Sequence, residues 1–189
     1  RCAPGSWSDE RKIDDDYVIS RTPLCDAVMV LAAEGLVTMQ VRRGAYVTEV
    51  SEKDWTDVYH LLSLLEADAA GVADNQAGAA QLSELQALHA KLEAAARPGR
   101  QDREKFFEIN ERFHLRLLEI ADNRWRSQMA ADLRKVMKLN RHHSLLKSGR
   151  IDESLQEHQA IMAALLARDA AAAVKCMQAH FRNELEAAA

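Results

Sequence analysis

Four side chains stand out as candidates for chemistry: Asn110 and His114 in NERFH, His158 in LQEHQAIMAALLARD and His180 in KCMQAHF. Each lies on an apolar stripe at helical period. Residues three and four apart share a helix face, so Asn110 and His114 look the same way as Phe113, Leu117 and Leu118. His158 runs with Leu155, Met162 and Leu165, and His180 with Val174, Met177 and Phe181. A buried polar group without a partner costs about 1–3 kcal/mol, so each of the four must be satisfied by something. Taken singly, each histidine reads as a core residue bonded to a backbone carbonyl. Taken together, three inward imidazoles and an amide oxygen supply the N and O donors that suit Zn²⁺, with Ni²⁺ or another first-row divalent ion as alternatives.

Such a set has to be positioned by helices, and the chain provides them. From residue 51 onward the sequence is rich in Ala, Leu, Glu, Gln and Arg, and breaks near 75–78, 97–100, 122–123, 148–150 and 168–169 divide it into about six helices. Residues 51–189 therefore read as an all-α antiparallel helical bundle. The first fifty residues differ. In SRTPLCDAVMVLAAEGLV, Thr22 suits an N-cap, Pro23 the first helical position and Gly35 the left-handed position after the helix. VTMQVRRGAYVTEV follows, with Val37, Met39 and Val41 alternating before Arg42, Arg43 and Gly44, and Ala45 and Val47 after them. That pattern predicts two short strands joined by a basic turn. A helix followed by a basic hairpin is the order of a winged helix-turn-helix, although the pattern also fits an ordinary αβ-hairpin module. In the winged arrangement that helix, with Arg21 and Thr22 at its N-terminal edge, enters the major groove. Arg42 and Arg43 approach the backbone or minor groove, and Gly44 permits close contact. The fold class read from the sequence is thus mostly α, with a winged helix-turn-helix over 1–50 ahead of the bundle.

Composition narrows the function classes. The chain has 189 residues, 48% of them hydrophobic, which is enough for a sizeable core. It shows neither an apolar run of membrane-spanning length nor the layout of a signal peptide, so a soluble cytoplasmic protein with no membrane partner is expected. Three scattered cysteines, Cys2, Cys25 and Cys176, make neither a disulfide framework nor a zinc-finger pattern. With a net charge of −4, nucleic-acid binding has to come from a local patch. Arg134, Lys138 and Arg141 form a basic stripe at i, i+4 and i+7 that faces either solvent or a pocket, while the adjacent His142 and His143 point apart.

APG at 3–5, the segment ISRTPLCDAVMVLAAEGLV and RRGAYV at 42–47 together resemble the DNA-binding domain of GntR-family transcriptional regulators. NERFH with His158 and His180 resembles the FadR-type C-terminal effector domain, known as FCD, that many of them carry. The resemblance implies a homodimeric, effector-responsive regulator that binds operator DNA and holds a divalent metal. It places the metal ligands at Asn110, where the family commonly has Asp, and at His114, His158 and His180. An amide there removes one negative charge and leaves the site more attractive to an anion, which implies a small organic acid as effector. Where the family often carries an arginine the chain has Leu62, and Arg134 is the substitute anion partner. The resemblance also starts the chain just after the usual first helix, so the winged domain is expected to be incomplete at its start. Cys25 and Asp26 stand after SRTPL where a basic residue is usual, Asp14 falls where a small or apolar one is, and the first fifty residues hold two more acids than bases. No enzymatic activity is expected. The competing readings are a metal-dependent hydrolase and a helical ligand-binding module with a degenerate DNA-binding domain.

Overall fold

The computed structural model describes residues 5–8, 13, 18, 20–41, 43–97, 102–144 and 149–188, with the backbone alone over 139–144. Arg42, Asp14 and Cys2 lie outside the described residues, as do the side chains of Arg141, His142 and His143. Helix α1 spans Arg21–Ala33, strand β1 Val37–Gln40 and strand β2 Gly44–Val47. Six helices follow: α2 Glu52–Gln76, α3 Ala79–Ala95, α4 Arg103–Ile120, α5 Arg124–Ser144, α6 Arg150–Ala167 and α7 Ala170–Ala188. The breaks read from the sequence fall at the ends of these helices.

Helix α1 begins two residues earlier than Pro23 suggests, with Ser20 rather than Thr22 in the N-cap position and in extended conformation. The first backbone N–H groups of a helix have no intrahelical acceptor, so a proline costs nothing anywhere in the first turn and does not fix the start. Gly35 takes the left-handed conformation expected of it, at φ +73°. Strands β1 and β2 pair antiparallel, with Val37 opposite Val47 and Gln40 opposite Gly44. The expected alternation holds only in part. Val37 and Ala45 are buried, but Met39 and Val41 are exposed because the hairpin runs out past a small core of Leu24, Val28, Val37 and Ala45, with Ile13 packed against it. The segment 5–8 borders β2, with Val47 donating to the Ser6 carbonyl at 2.9 Å and Ser8 to that of Ala45 at 2.8 Å.

Helix α2 starts with a capping box in which Ser51 accepts from the Asp54 amide and the Asp54 carboxylate accepts from the Ser51 amide. Its inner face carries buried Ala67, Ala70 and Ala73, small enough to let α7 lie close. A Cβ placed on Gly71 would stand 2.8 Å from Cγ2 of Val174 on α7. Val174 is β-branched and stiff in a helix, so the contact cannot relax by a simple rotation. Gly71→Ala is therefore expected to destabilise the bundle by about 1–3 kcal/mol despite its better helix propensity, read as a lower midpoint in thermal unfolding. An unchanged or raised midpoint would show that the two helices have slack.

The main core gathers Leu62, Phe113, Leu117, Leu118, Ile161, Leu165, Met177 and Phe181 from α2, α4, α6 and α7. A second cluster of Leu92, Phe106, Ile109 and Ile151 closes one end. Lys135 on α5 forms an ion pair with Glu34 at the end of α1, joining the bundle to the N-terminal part. Among the described residues no helix is long and apolar enough to cross a membrane.

Candidate metal centre

Helices α4, α6 and α7 each turn one histidine into the core. His114, His158 and His180 are all completely buried, and one ring nitrogen from each lies within 4.8 Å of the others. Phe113 and Phe181 pack edge-on against the imidazoles and exclude water from that side.

The outer nitrogens decide the protonation pattern. Nδ1 of His114 is 2.7 Å from Oε2 of Glu66, Nδ1 of His158 is 2.8 Å from the Ser154 carbonyl, and Nδ1 of His180 is 2.6 Å from Oε2 of Glu157. Carboxylates and carbonyls only accept, so each ring donates from Nδ1, and a neutral imidazole then presents a bare lone pair at Nε2. Burial first, then Arg134 and His180, holds His114 well below the ordinary imidazole value. Burial, His180 and His114 do the same for His158. Both are neutral at pH 7, yet their Nε2 atoms face each other at 3.2 Å, two acceptors with no hydrogen to share. Nε2 of His180 and Oδ1 of Asn110 are buried with no hydrogen-bond partner. Two imidazoles on one tetrahedral ion with metal–nitrogen bonds of the usual length stand about 3.3 Å apart. A divalent cation among the three ring nitrogens would satisfy the facing lone pairs, and nitrogen donors with a buried amide oxygen near by suit such an ion.

Two of the histidines are held in the same manner. Arg134 forks onto Glu66 with Nε–Oε1 2.6 Å and Nη2–Oε2 2.7 Å, and Glu66 in turn grips His114. Arg150 forks onto Glu157 with both contacts at 2.8 Å, and Glu157 grips His180. Burial pushes the Glu157 carboxyl up, but hydrogen bonds from His180, Arg150 and Asn183 outweigh it and bring it down to about 2. These Arg–Glu–His chains fix the rings from behind, because a carboxylate locked by a bidentate guanidinium cannot rotate away. Beside them lies a cavity of about 70 Å³ lined in part by Tyr59, Asn110, Arg134, Lys138, Arg150 and Glu184.

Residues 57–183 match the FCD domain. The chain belongs to the FCD-domain family. The HTH-type transcriptional repressor RspR of Escherichia coli K12 is 28% identical to it over 96% of this chain and 78% of its own. In fold it resembles E. coli McbR/YncC, at a TM-score of 0.85 and 20% identity over 97% of this chain and 87% of the other. It also resembles a GntR transcriptional regulator from Rhodococcus sp. RHA1, at 0.75 and 19% identity over 97% and 87% of the two chains. The FCD domain accords with the sequence resemblance, and the curated relatives bear the names of HTH-type transcriptional regulators rather than of enzymes.

Within the FCD domain the structure brings His114, His158 and His180 together, and Asn110, one helical turn before His114, is buried and lines the neighbouring cavity. Arg134 lines the adjoining cavity, but its fork is already engaged by Glu66, and Leu62 is core with no polar role. Lys138 lines the rim of the same cavity, exposed to solvent, and pairs with Glu111 at 2.6 Å, so of the basic stripe it is Arg134 that turns fully inward. Of the residues assigned to DNA, Arg21 and Thr22 are exposed at the start of α1, Arg43 is exposed in the hairpin turn, and Gly44 begins β2. Sequence reasoning passed over Glu66, Glu157 and Arg150. Glu66 had a signal, since it follows Tyr59 by seven and Leu62 by four and so sits on an inward stripe.

Proposed function

We propose that this FCD-domain regulator binds operator DNA as a homodimer and is switched by a small organic acid bound beside a divalent metal in its helical domain. Asn110 Oδ1 and Nε2 of His114, His158 and His180 would hold the metal, with Zn²⁺ the best match to the donors and Ni²⁺ or another first-row ion possible on the same chemistry. The observation that carries this reading is the buried cluster of His114, His158 and His180 ring nitrogens within 4.8 Å of one another, with Nε2 of His180 and Oδ1 of Asn110 left without a hydrogen-bond partner. The metal would supply a fixed positive centre that three neutral imidazoles and an amide do not neutralise. Arg134 and Arg150 add guanidinium N–H groups beyond those used on Glu66 and Glu157, and Lys138 adds an ammonium at the rim. A cavity of about 70 Å³ suits an acid of a few carbons. Leu61 and Leu64 on α2 and Trp125 and Met129 on α5 are exposed apolar side chains on two helices joined by the Arg126–Asp68 ion pair, which supports self-association through these helices. Arg21, Thr22, Arg42, Arg43 and Gly44 are the proposed DNA contacts, in a cytoplasmic protein.

The switch is a linkage: an acid that prefers one arrangement of the bundle shifts the population of DNA-reading states by its difference in affinity, and DNA shifts acid affinity by the same factor. The test is fluorescence anisotropy with DNA from upstream of the protein's own gene, on metal-loaded and chelated protein, at two salt concentrations and across a panel of carboxylates, sugars and amines. Carboxylates are expected to change DNA affinity by about 5–150-fold, and only in the metal-loaded protein. A response confined to neutral ligands and indifferent to chelation would refute the reading.

A further inference from the structure

We propose that Glu184 is a tethered carboxylate of the metal centre: it supplies the negative charge that the imidazoles and the amide lack, and it occupies the position an external carboxylate must take. The inference rests on the metal and organic-acid reading given above. Glu184 lies four residues beyond His180 on α7, so the two side chains leave one helix face. Its Oε1 stands 3.4 Å from Nε2 of His180, and no hydrogen bond joins them. With Nδ1 of His180 committed to Glu157, Nε2 is the ring atom left to face Glu184. The pair is 0% and 16% exposed and sets a carboxylate oxygen beside a buried ring nitrogen that has no hydrogen-bond partner, an arrangement that a cation bound to both atoms would complete.

The neighbouring acids are already engaged. Glu66 serves Arg134 and His114, Glu157 serves Arg150, His180 and Asn183, and Glu111 serves Lys138. Glu184 lines the cavity shared with Asn110, Arg134 and Arg150, and its charge reaches both guanidiniums. It is close to one imidazole of the three and stands outside their compact group, which makes it a displaceable occupant rather than a fourth fixed corner.

Cobalt(II) is a suitable probe, because its visible absorption reports the number and kind of ligands. The full chain and its Glu184→Gln, Glu184→Ala and His158→Ala variants are titrated with Co²⁺, each with and without acetate. Removing the Glu184 carboxylate is expected to change the band intensities and weaken Co²⁺ binding by about 10-fold or more. Acetate should restore the affinity of Glu184→Ala, and should perturb its bands at a concentration about 10-fold lower than for the native chain, since the tethered competitor is gone. Glutamine keeps the size of the side chain, so the comparison survives even if the alanine variant fails to fold. Identical spectra and affinities in the native and Glu184 variants, with bands lost in His158→Ala, would overturn the role of Glu184 and leave the metal centre standing. No bands in the native chain, or bands unaffected by His158→Ala, would overturn both.

Discussion

His158→Ala is expected to abolish divalent metal binding and, with it, the sensitivity of the fold to chelators. Native protein purified without chelator or nickel resin should carry about one metal per chain, and the variant essentially none, measured by elemental analysis. A ligand that binds only the folded state at a free concentration 100 times its dissociation constant stabilises by about 2.7 kcal/mol. For a domain of this size that is a shift of roughly 5–11 °C in midpoint. Chelation should therefore lower the midpoint of the native protein by that amount and leave His158→Ala where it is. The second comparison separates loss of metal from the cavity that alanine itself leaves, since the cavity is present in both arms. Full occupancy in His158→Ala, or an equal chelator effect in both proteins, would mean that the histidines are ordinary core residues.

The largest loss of stability is expected from Glu66→Ala. Glu66 and Arg134 are 1% and 6% exposed, and Glu66 is the fork on which the guanidinium rests. Removing one partner of a buried ion pair leaves the other charge without compensation, at a cost of about 3–5 kcal/mol. His114 loses its Nδ1 acceptor in the same step. Denaturant unfolding of apo protein measures this without interference from metal. Combining Glu66→Ala with Arg134→Met should recover a large part of the loss, because replacing the whole pair with apolar groups removes the stranded charge. If the double variant is as unstable as the sum of its parts, the two residues do not act as a unit.

How much of this was legible in the sequence follows from what a helical stripe records. Asn110, His114, His158 and His180 were visible because an imidazole or amide among leucines and phenylalanines breaks a pattern that otherwise has one physical reading. Glu66, Glu157 and Arg150 were hidden by the opposite circumstance. A charged residue on a helix ordinarily faces water, and whether it is buried depends on a partner such as Arg134, 68 residues further along the chain. Glu157 is harder still, since its neighbour His158 points elsewhere and adjacent helical residues do not share a face. In the N-terminal part, alternation in Val37, Met39 and Val41 marked the pleat of a strand, but the size of the core beneath it decided that only Val37 is covered.

The adjacency of Arg134 and Lys135 has a mechanical meaning. Consecutive helical residues point about 100° apart, so Arg134 reaches inward to Glu66 beside the ligand cavity while Lys135 reaches sideways to Glu34 at the foot of α1. Both side chains are spokes on one axle. Because the hydrogen-bonded backbone of α5 resists twisting over a single residue, a roll of that helix that carries the Arg134 spoke across the cavity sweeps the Lys135 spoke through the same angle against α1. The cavity and the N-terminal helix are thus tied to one helix at two neighbouring residues.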